Sequence, residues 1–226
     1  MNMKNKVLII AAHPDDDILG CGGFMSRYRG VYKIKVLFVA EGSTCRFNEP
    51  NSDKARKEVL ERNKMGINAL NSLGVNEYKF INFPCGRLDQ VPLIEINKLI
   101  EDEIKVFKPK IVLTHSDVDS NKDHHKVLDS TIIATRPGSG VEQVMSYEVL
   151  SSTEWGFKKS FNPNFFLKLD KKNIEDKVKA FSFYKSEIKD SPYPRSKTAI
   201  QTLAKMRGVQ SGNEYAEAYN LIRFNL

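Results

Sequence analysis

Apolar and polar positions fall into blocks along this chain, and the blocks alternate between two periods. Val7–Ala12 is apolar at every position and rich in β-branched residues, which predicts a strand buried on both faces of a parallel sheet. Ile34–Ala40 (IKVLFVA) reads the same way, and Tyr78–Phe83, Ile111–Thr114 and Val144–Leu150 are further strand-like runs. Between them the period lengthens to that of a helix. Gly20, Gly22 and Gly23 open a helix reaching toward Arg29, and Val59, Met65, Ala69 and Leu73 mark a face that Gly74 stops. Leu93, Ile96, Ile100, Ile104 and Phe107 form an apolar stripe that Pro109 ends, and Asp123–Ala134 reads as helix up to Arg136-Pro137-Gly138. This strand–helix alternation predicts an α/β fold, a Rossmann-like doubly wound, mostly parallel sheet flanked by helices. Past Leu150 the pattern is less regular. Asp170 and Ser196 each cap a helix, the first with Ile174, Val178, Phe181 and Ile188 inward, the second with Ile200, Leu203 and Ala204.

A length of 226 residues suits one well-buried domain over 1–226, and neither an internal repeat nor a linker divides it. The run Val7–Ala12 is too short for a signal sequence core or a membrane span, so a cytoplasmic protein without stable membrane insertion is expected. Three cysteines, Cys21, Cys45 and Cys85, are an odd number without a CxxC pair, which argues against a disulfide framework. The net charge of +7 is concentrated: residues 156–210 hold 13 Lys and Arg against 5 Asp and Glu. That segment reads either as a solvated lysine-rich surface or as an attraction for a phosphate-bearing ligand. No helix-turn-helix or RNA-binding signature accompanies it, so nucleic acid is not an expected partner.

The chemistry-bearing residues gather at two strand ends. The chain has four histidines, His13, His115, His124 and His125, and all follow apolar runs and stand beside aspartates, in HPDDD at 13–17 and HSDVDSNKDHH at 115–125. In a doubly wound sheet ligands bind at the carboxyl ends of strands. Imidazole with carboxylate is a ligand set for Zn²⁺, and Fe²⁺ also accepts two histidines and one carboxylate. The two loops are therefore expected to meet at one end of the sheet and to hold one divalent metal.

The stretch AHPDDDILGCGG (Ala12–Gly23) and the later Asn121-Lys122-Asp123-His124 resemble the signatures of the LmbE-like, or PIG-L-like, family of zinc-dependent de-N-acetylases. The likeness extends through Arg87-Leu88-Asp89, Thr135-Arg136-Pro137, Ser151–Trp155 and Pro194-Arg195-Ser196 to Ala216-Glu217-Ala218. It implies that His13, Asp16 and His124 ligate the metal and that Asp15 is the general base. Many members carry a second histidine three residues before that of the DH pair. This chain has Asn121 there, and His115, His125 or Asn121 itself is left to supply the missing donor.

Arg62, Arg87, Asp89, Arg136 and Arg195 are expected to meet substrate, since guanidinium forks suit phosphate and sugar hydroxyls. Trp155, the one tryptophan, either stacks on a sugar ring or packs in the core. The resulting expectation is a Zn²⁺-dependent hydrolase removing the acetyl group of an N-acetylglucosamine-like, phosphate-bearing amino sugar. The alternatives are a metal-dependent hydrolase of another small amide and a non-catalytic sugar- or nucleotide-binding module. A homo-oligomer is compatible with the sequence.

Overall fold

The apolar run near the N-terminus forms β1 (Lys6–Ala11), the strand on which both halves of the sheet are laid. A computed structural model describes residues 5–225. To one side of β1 lie β2 (Lys33–Ala40) and β3 (Glu77–Phe83), to the other β4 (Ile111–Thr114) and β5 (Gln143–Tyr147), all parallel. The order is β3-β2-β1-β4-β5-β7-β6, with β6 (Phe165–Leu169) and β7 (Tyr215–Phe224) closing the sheet as antiparallel strands. The chain runs outward from β1 in one direction and then restarts at β4 in the other. The crevice between the ends of β1 and β4 is therefore the topological switch point, where such sheets bind ligands. Both His/Asp loops leave the sheet there.

Because successive side chains of a strand point to opposite faces, β1 serves two cores. Val7, Ile9 and Ala11 pack with residues of α1 (Asp16–Arg27), α2 (Asp53–Ser72), α5 (Lys171–Phe181) and α6 (Lys197–Gln210). Leu8, Ile10 and Ala12 pack against Ile96 and Ile100 of α3 (Leu93–Phe107) and Val127 of α4 (Lys122–Ala134). The doubly wound, mostly parallel architecture is as expected. Among the described residues no helix is long and apolar enough to cross a membrane.

Three expectations are corrected. The glycines at 20, 22 and 23 do not open α1; it starts at Asp16, and they lie in its middle. Their role is close approach: a Cβ on Gly20 would stand 2.2 Å from the Tyr147 ring, and one on Gly23 2.4 Å from Leu169. The fifth strand ends at Tyr147 rather than Leu150, because the chain turns at Val149 to bring Thr153 back onto it. The segment after Leu150, where two helices were expected, also holds two strands, β6 and β7, which frame α5 and α6, while residues 151–164 and 182–196 lie outside regular elements. The buried face of β7 carries Glu217, an acid whose partners are remote: it accepts the Gly23 and Phe24 N–H groups, each at 2.7 Å, and pairs with Lys177 at 2.7 Å.

Candidate metal centre

β1 ends at Ala11, and the chain turns through His13 and Pro14 into α1. The turn depends on Asp15, whose φ of 126° is in the region that non-glycine residues rarely adopt. That conformation aims three successive carboxylates differently. Asp16 turns back, and its Oδ2 accepts the His13 N–H at 2.8 Å and stands 3.2 Å from His13 Nδ1. Asp17 points inward, its Oδ1 facing the Asp15 N–H at 3.3 Å, and burial pushes its carboxyl up to about 8. Asp15 faces the arginines described below.

The second loop leaves β4 at Thr114. His115 is fully buried, and its Nε2 accepts the Ala12 N–H at 2.8 Å, which fastens the end of β4 to the end of β1. Its Nδ1 faces Asp119 Oδ2 at 3.7 Å. Burial and the nearby His124 bring the His115 ring down to about 4, so it is neutral at pH 7. Asn121 caps α4 by accepting the Asp123 N–H at 2.9 Å, and this places His124 in the first turn of that helix. His124 stacks on His115 with ring centroids 3.9 Å apart, and its Nδ1 lies 2.8 Å from Asp119 Oδ2. That leaves His124 Nε2 buried without a hydrogen-bond partner, 3.3 Å from Asp16 Oδ2.

His13, Asp16 and His124 thus converge from two loops, each offering one ligand atom, with all three atoms within 4.8 Å of one another. Donors about 2.0–2.1 Å from a tetrahedral zinc ion stand about 3.3 Å apart, which matches the 3.2 and 3.3 Å from Asp16 to the two imidazoles. The remaining nitrogen of each ligand histidine is held by a carboxylate: His13 Nε2 by Asp123 at 2.9 Å and His124 Nδ1 by Asp119 at 2.8 Å. This is the arrangement that fixes imidazole orientation in metal sites. The charge balance fits as well. Burial works against protonation of both rings, yet the surrounding carboxylates overcome it and lift His13 to about 9 and His124 to about 10. The pocket calls for positive charge, and a divalent cation would bring it. Two other groupings, His13–Cys85–Asp123 and His115–Asp119–His124, also have the spacing, but there the carboxylates already bond the imidazoles.

Asp15 is almost wholly buried beside this trio. Its Oδ2 lies 3.0 Å from Arg62 Nη2 and 3.3 Å from Arg195 Nη1. Burial raises its carboxyl above the usual range, and the two arginines work in the other direction. Glu187 sits behind them, paired with Arg62 and Arg195 and bonded by Arg46 at 2.7 and 2.9 Å.

Several expectations for single residues change. Arg62, expected to meet substrate, is buried, donates Nε–H to Pro14 C=O at 2.8 Å and braces Asp15. Arg195 likewise uses its donors within the protein, on Asp15, Glu187 and Ser151. Arg136 lies just past the C-terminal end of α4, opposite His124, in an exposed pair with Glu101. His115 accepts a backbone hydrogen bond through Nε2 and is closed to solvent. His125 turns outward, with Nε2 2.6 Å from the Asp119 carbonyl oxygen. Arg87 and Asp89 are exposed on the loop after β3, whose Gly86 and Leu88 N–H groups are bonded to Asp123 at 2.6 and 3.1 Å. Trp155 is part-exposed and lines a cavity of about 620 Å³ with Asp119, Lys122, His125, Lys158 and Lys159. Sequence reasoning missed Asp119, Asp123 and Glu187. The first two lie within two residues of Asn121, and their proximity to it was the available signal; Glu187 carried none.

Residues 8–135, more than half of the chain, match the family described as PIG-L: GlcNAc-PI de-N-acetylase. The chain is 27% identical over 194 residues to YaiS, an uncharacterized deacetylase of Escherichia coli (strain K12), covering 82% of this chain and 93% of the relative. N,N′-diacetylchitobiose deacetylase from Pyrococcus horikoshii superposes with a TM-score of 0.76 over 97% of this chain and 84% of its own, at 18% identity. GalB, the 4-carboxy-2-hydroxymuconate hydratase of Pseudomonas putida KT2440, does so with a TM-score of 0.73 over 98% of each chain, at 19% identity. These two structural likenesses establish a shared fold.

Proposed function

This chain belongs to the PIG-L family, that of the GlcNAc-PI de-N-acetylases, and from that premise we propose that it is a zinc-dependent hydrolase that removes the acetyl group of an N-acetylated amino sugar. The observation that carries the reading is the buried, unpartnered His124 Nε2 facing Asp16 and His13, with a carboxylate, Asp15, beside the trio. His13, Asp16 and His124 would hold a divalent cation, which would supply Lewis acidity to a water molecule and to the amide oxygen when bound. Asp15 takes the water proton on its carboxylate and returns it to the departing amine nitrogen. Arg62 and Arg195 hold that carboxylate in place from behind. Asp119 and Asp123 keep the imidazoles oriented, and His115 keeps the two loops in register.

The fold by itself does not select amide hydrolysis, since a hydratase shares it. Deacetylation is favoured by the relatives named as deacetylases, among them a diacetylchitobiose deacetylase of Thermococcus kodakarensis. On this reading Trp155 meets the sugar and Lys122, Lys158 and Lys159, which line the same open cavity, meet the phosphate-bearing part of the substrate.

The test is acetate release from a panel of N-acetylated and N-formylated sugars, free and phosphate-linked, by native protein and by Asp15→Asn. Turnover on an N-acetylated sugar is expected to fall about 10²–10⁴-fold in the variant while bound zinc is unchanged. Retention of both zinc and full turnover by Asp15→Asn would exclude Asp15 as the base. Sugar binding without turnover, and without dependence on metal, would favour a binding module.

A further inference from the structure

The rim of the site carries two thiols that deacetylation leaves unused. Cys45 lies in the short 3-10 turn Thr44–Arg46 after β2, and Cys85 in the loop after β3. The two loops leave adjacent strands, and the Sγ atoms are 3.2 Å apart. Two features hold them so. The Glu41 carboxylate accepts the N–H groups of Ser43, Thr44 and Cys85 at 2.5, 2.9 and 2.7 Å, fastening both loops to one side chain. Gly86, at φ 69°, presents bare backbone to Cys45; a Cβ there would come within 3.3 Å of the Cys45 Cβ. Cys45 is exposed and Cys85 buried, which is the arrangement of an attacking thiol with a second thiol behind it. The hydrogen bond with Cys85, aided by Arg46 and opposed by partial burial, brings the Cys45 thiol down to about 6.

The pair is tied to the metal ligands. Gly86 N–H and Leu88 N–H hold the two oxygens of Asp123, and Asp123 holds His13 Nε2. Cys85 offers a ligand atom within 4.8 Å of those of His13 and Asp123. A covalent S–S bond is about 2.05 Å long, so closing it draws the two sulfurs about 1.2 Å nearer and pulls on both loops that carry them, one of which anchors Asp123.

We propose that Cys45 and Cys85 form a reversible disulfide, made by exchange with a low-molecular-weight disulfide such as oxidised glutathione, and that closing it weakens the hold of His13 on the cation. The Cys45 thiolate attacks one sulfur of the oxidant and releases the first small thiolate. Cys85 then attacks Cys45 Sγ in the mixed disulfide, giving up its proton and displacing the second. Two protein thiols are oxidised and one small disulfide is reduced to two thiols. A disulfide that comes and goes in this way is the kind compatible with a reducing compartment. The disulfide stands apart from the reaction assigned above; its effect on turnover rests on that assignment.

The experiment treats zinc-loaded protein with oxidised glutathione, maps disulfides by peptide mass spectrometry, and measures zinc affinity and acetate release on the same sample. The expected result is a Cys45–Cys85 cross-link and a fall in zinc affinity of about tenfold, with a parallel fall in turnover. Dithiothreitol restores both, and Cys45→Ser keeps basal zinc affinity and turnover and is indifferent to the oxidant. If all three thiols stay free the disulfide is refuted, and a cross-link that leaves zinc affinity unaltered refutes the switch even where no substrate is turned over. Equal sensitivity of Cys45→Ser to the oxidant also overturns the proposal.

Discussion

Asp119 and Asp123 lie outside the His13–Asp16–His124 trio, yet each holds a ring nitrogen of one of its histidines. Asp119 bonds His124 Nδ1 at 2.8 Å, faces His115 Nδ1, and is itself held by Thr153. Removing such an outer carboxylate typically costs about 10–100-fold in metal affinity. Asp119→Ala is therefore expected to bind zinc about 10–100-fold more weakly with its circular dichroism unchanged, as measured by competition with a chelator; native affinity would show that Asp119 does not orient His124. At this scale the sequence was legible where chemistry is rare. Four histidines, all beside aspartates in the segments that follow β1 and β4, made His13 and His124 visible, and Asp16 followed from its place beside His13. The outer shell was not legible, because a carboxylate that grips an imidazole reads like any of the 28 acids in the chain. Arg62 and Arg195 were expected to meet substrate, and nothing in their spacing told that they face Asp15 and Glu187 from inside the protein.

Among the elements, α1 shows how packing constrains the site. It approaches β5 so closely that Gly20 lies against the Tyr147 ring. Tyr147 in turn donates its hydroxyl to Ile10 C=O at 2.8 Å and packs against His115 in a tilted arrangement, 4.9 Å between centroids. Gly20→Ala puts a methyl group into that contact. Overpacking of this kind costs about 1–3 kcal/mol, a fall of roughly 2–12 °C in melting temperature if about 2–4 °C accompanies each kcal/mol. Tyr147→Leu in the same chain should recover part of it in a thermal melt, whereas a Gly20→Ala protein as stable as native would place the constraint elsewhere. The elements read best from sequence were those bounded by local signals. Leu93–Phe107 was found to the residue because prolines flank an unbroken apolar stripe. β7 went unread because its buried stretch, Tyr215–Tyr219, mixes small, aromatic and acidic residues and so lacks the apolar run that marks the other strands. The polar ends of Glu217 and Tyr219 are satisfied by α1 backbone, by Lys177 and by each other, all of them tertiary partners.

Across the whole molecule, the arginine–carboxylate cluster couples the last third of the chain to the first loop. Glu187 joins Arg46, Arg62 and Arg195, and through the last two it joins Asp15. Burial opposes its ionisation, but the Arg46 hydrogen bonds and the other two guanidinium charges win and hold its carboxyl at about 2, against an ordinary 4.5. A folded value below the unfolded one means that the unfolded chain takes up the proton first as pH falls. The stability from this group is therefore complete above the ordinary value and drains away as pH falls from about 4.5 toward about 2. Glu187→Gln should melt well below native protein at neutral pH, and the gap should narrow across that acid window. A gap that stays constant from neutral pH down through the window would mean that the charge of Glu187 is not what holds the cluster.

The central claim is that two loops, 111 residues apart from His13 to His124 (124 − 13), close on one cation at the switch point of the sheet. Zinc K-edge X-ray absorption on protein loaded with one equivalent of zinc tests it most directly. The account predicts a first shell of two imidazole nitrogens with oxygen and no sulfur, and loss of that signature in His124→Ala. A sulfur scatterer, which would place the ion on Cys85, or a spectrum that His124→Ala leaves unchanged, would contradict it.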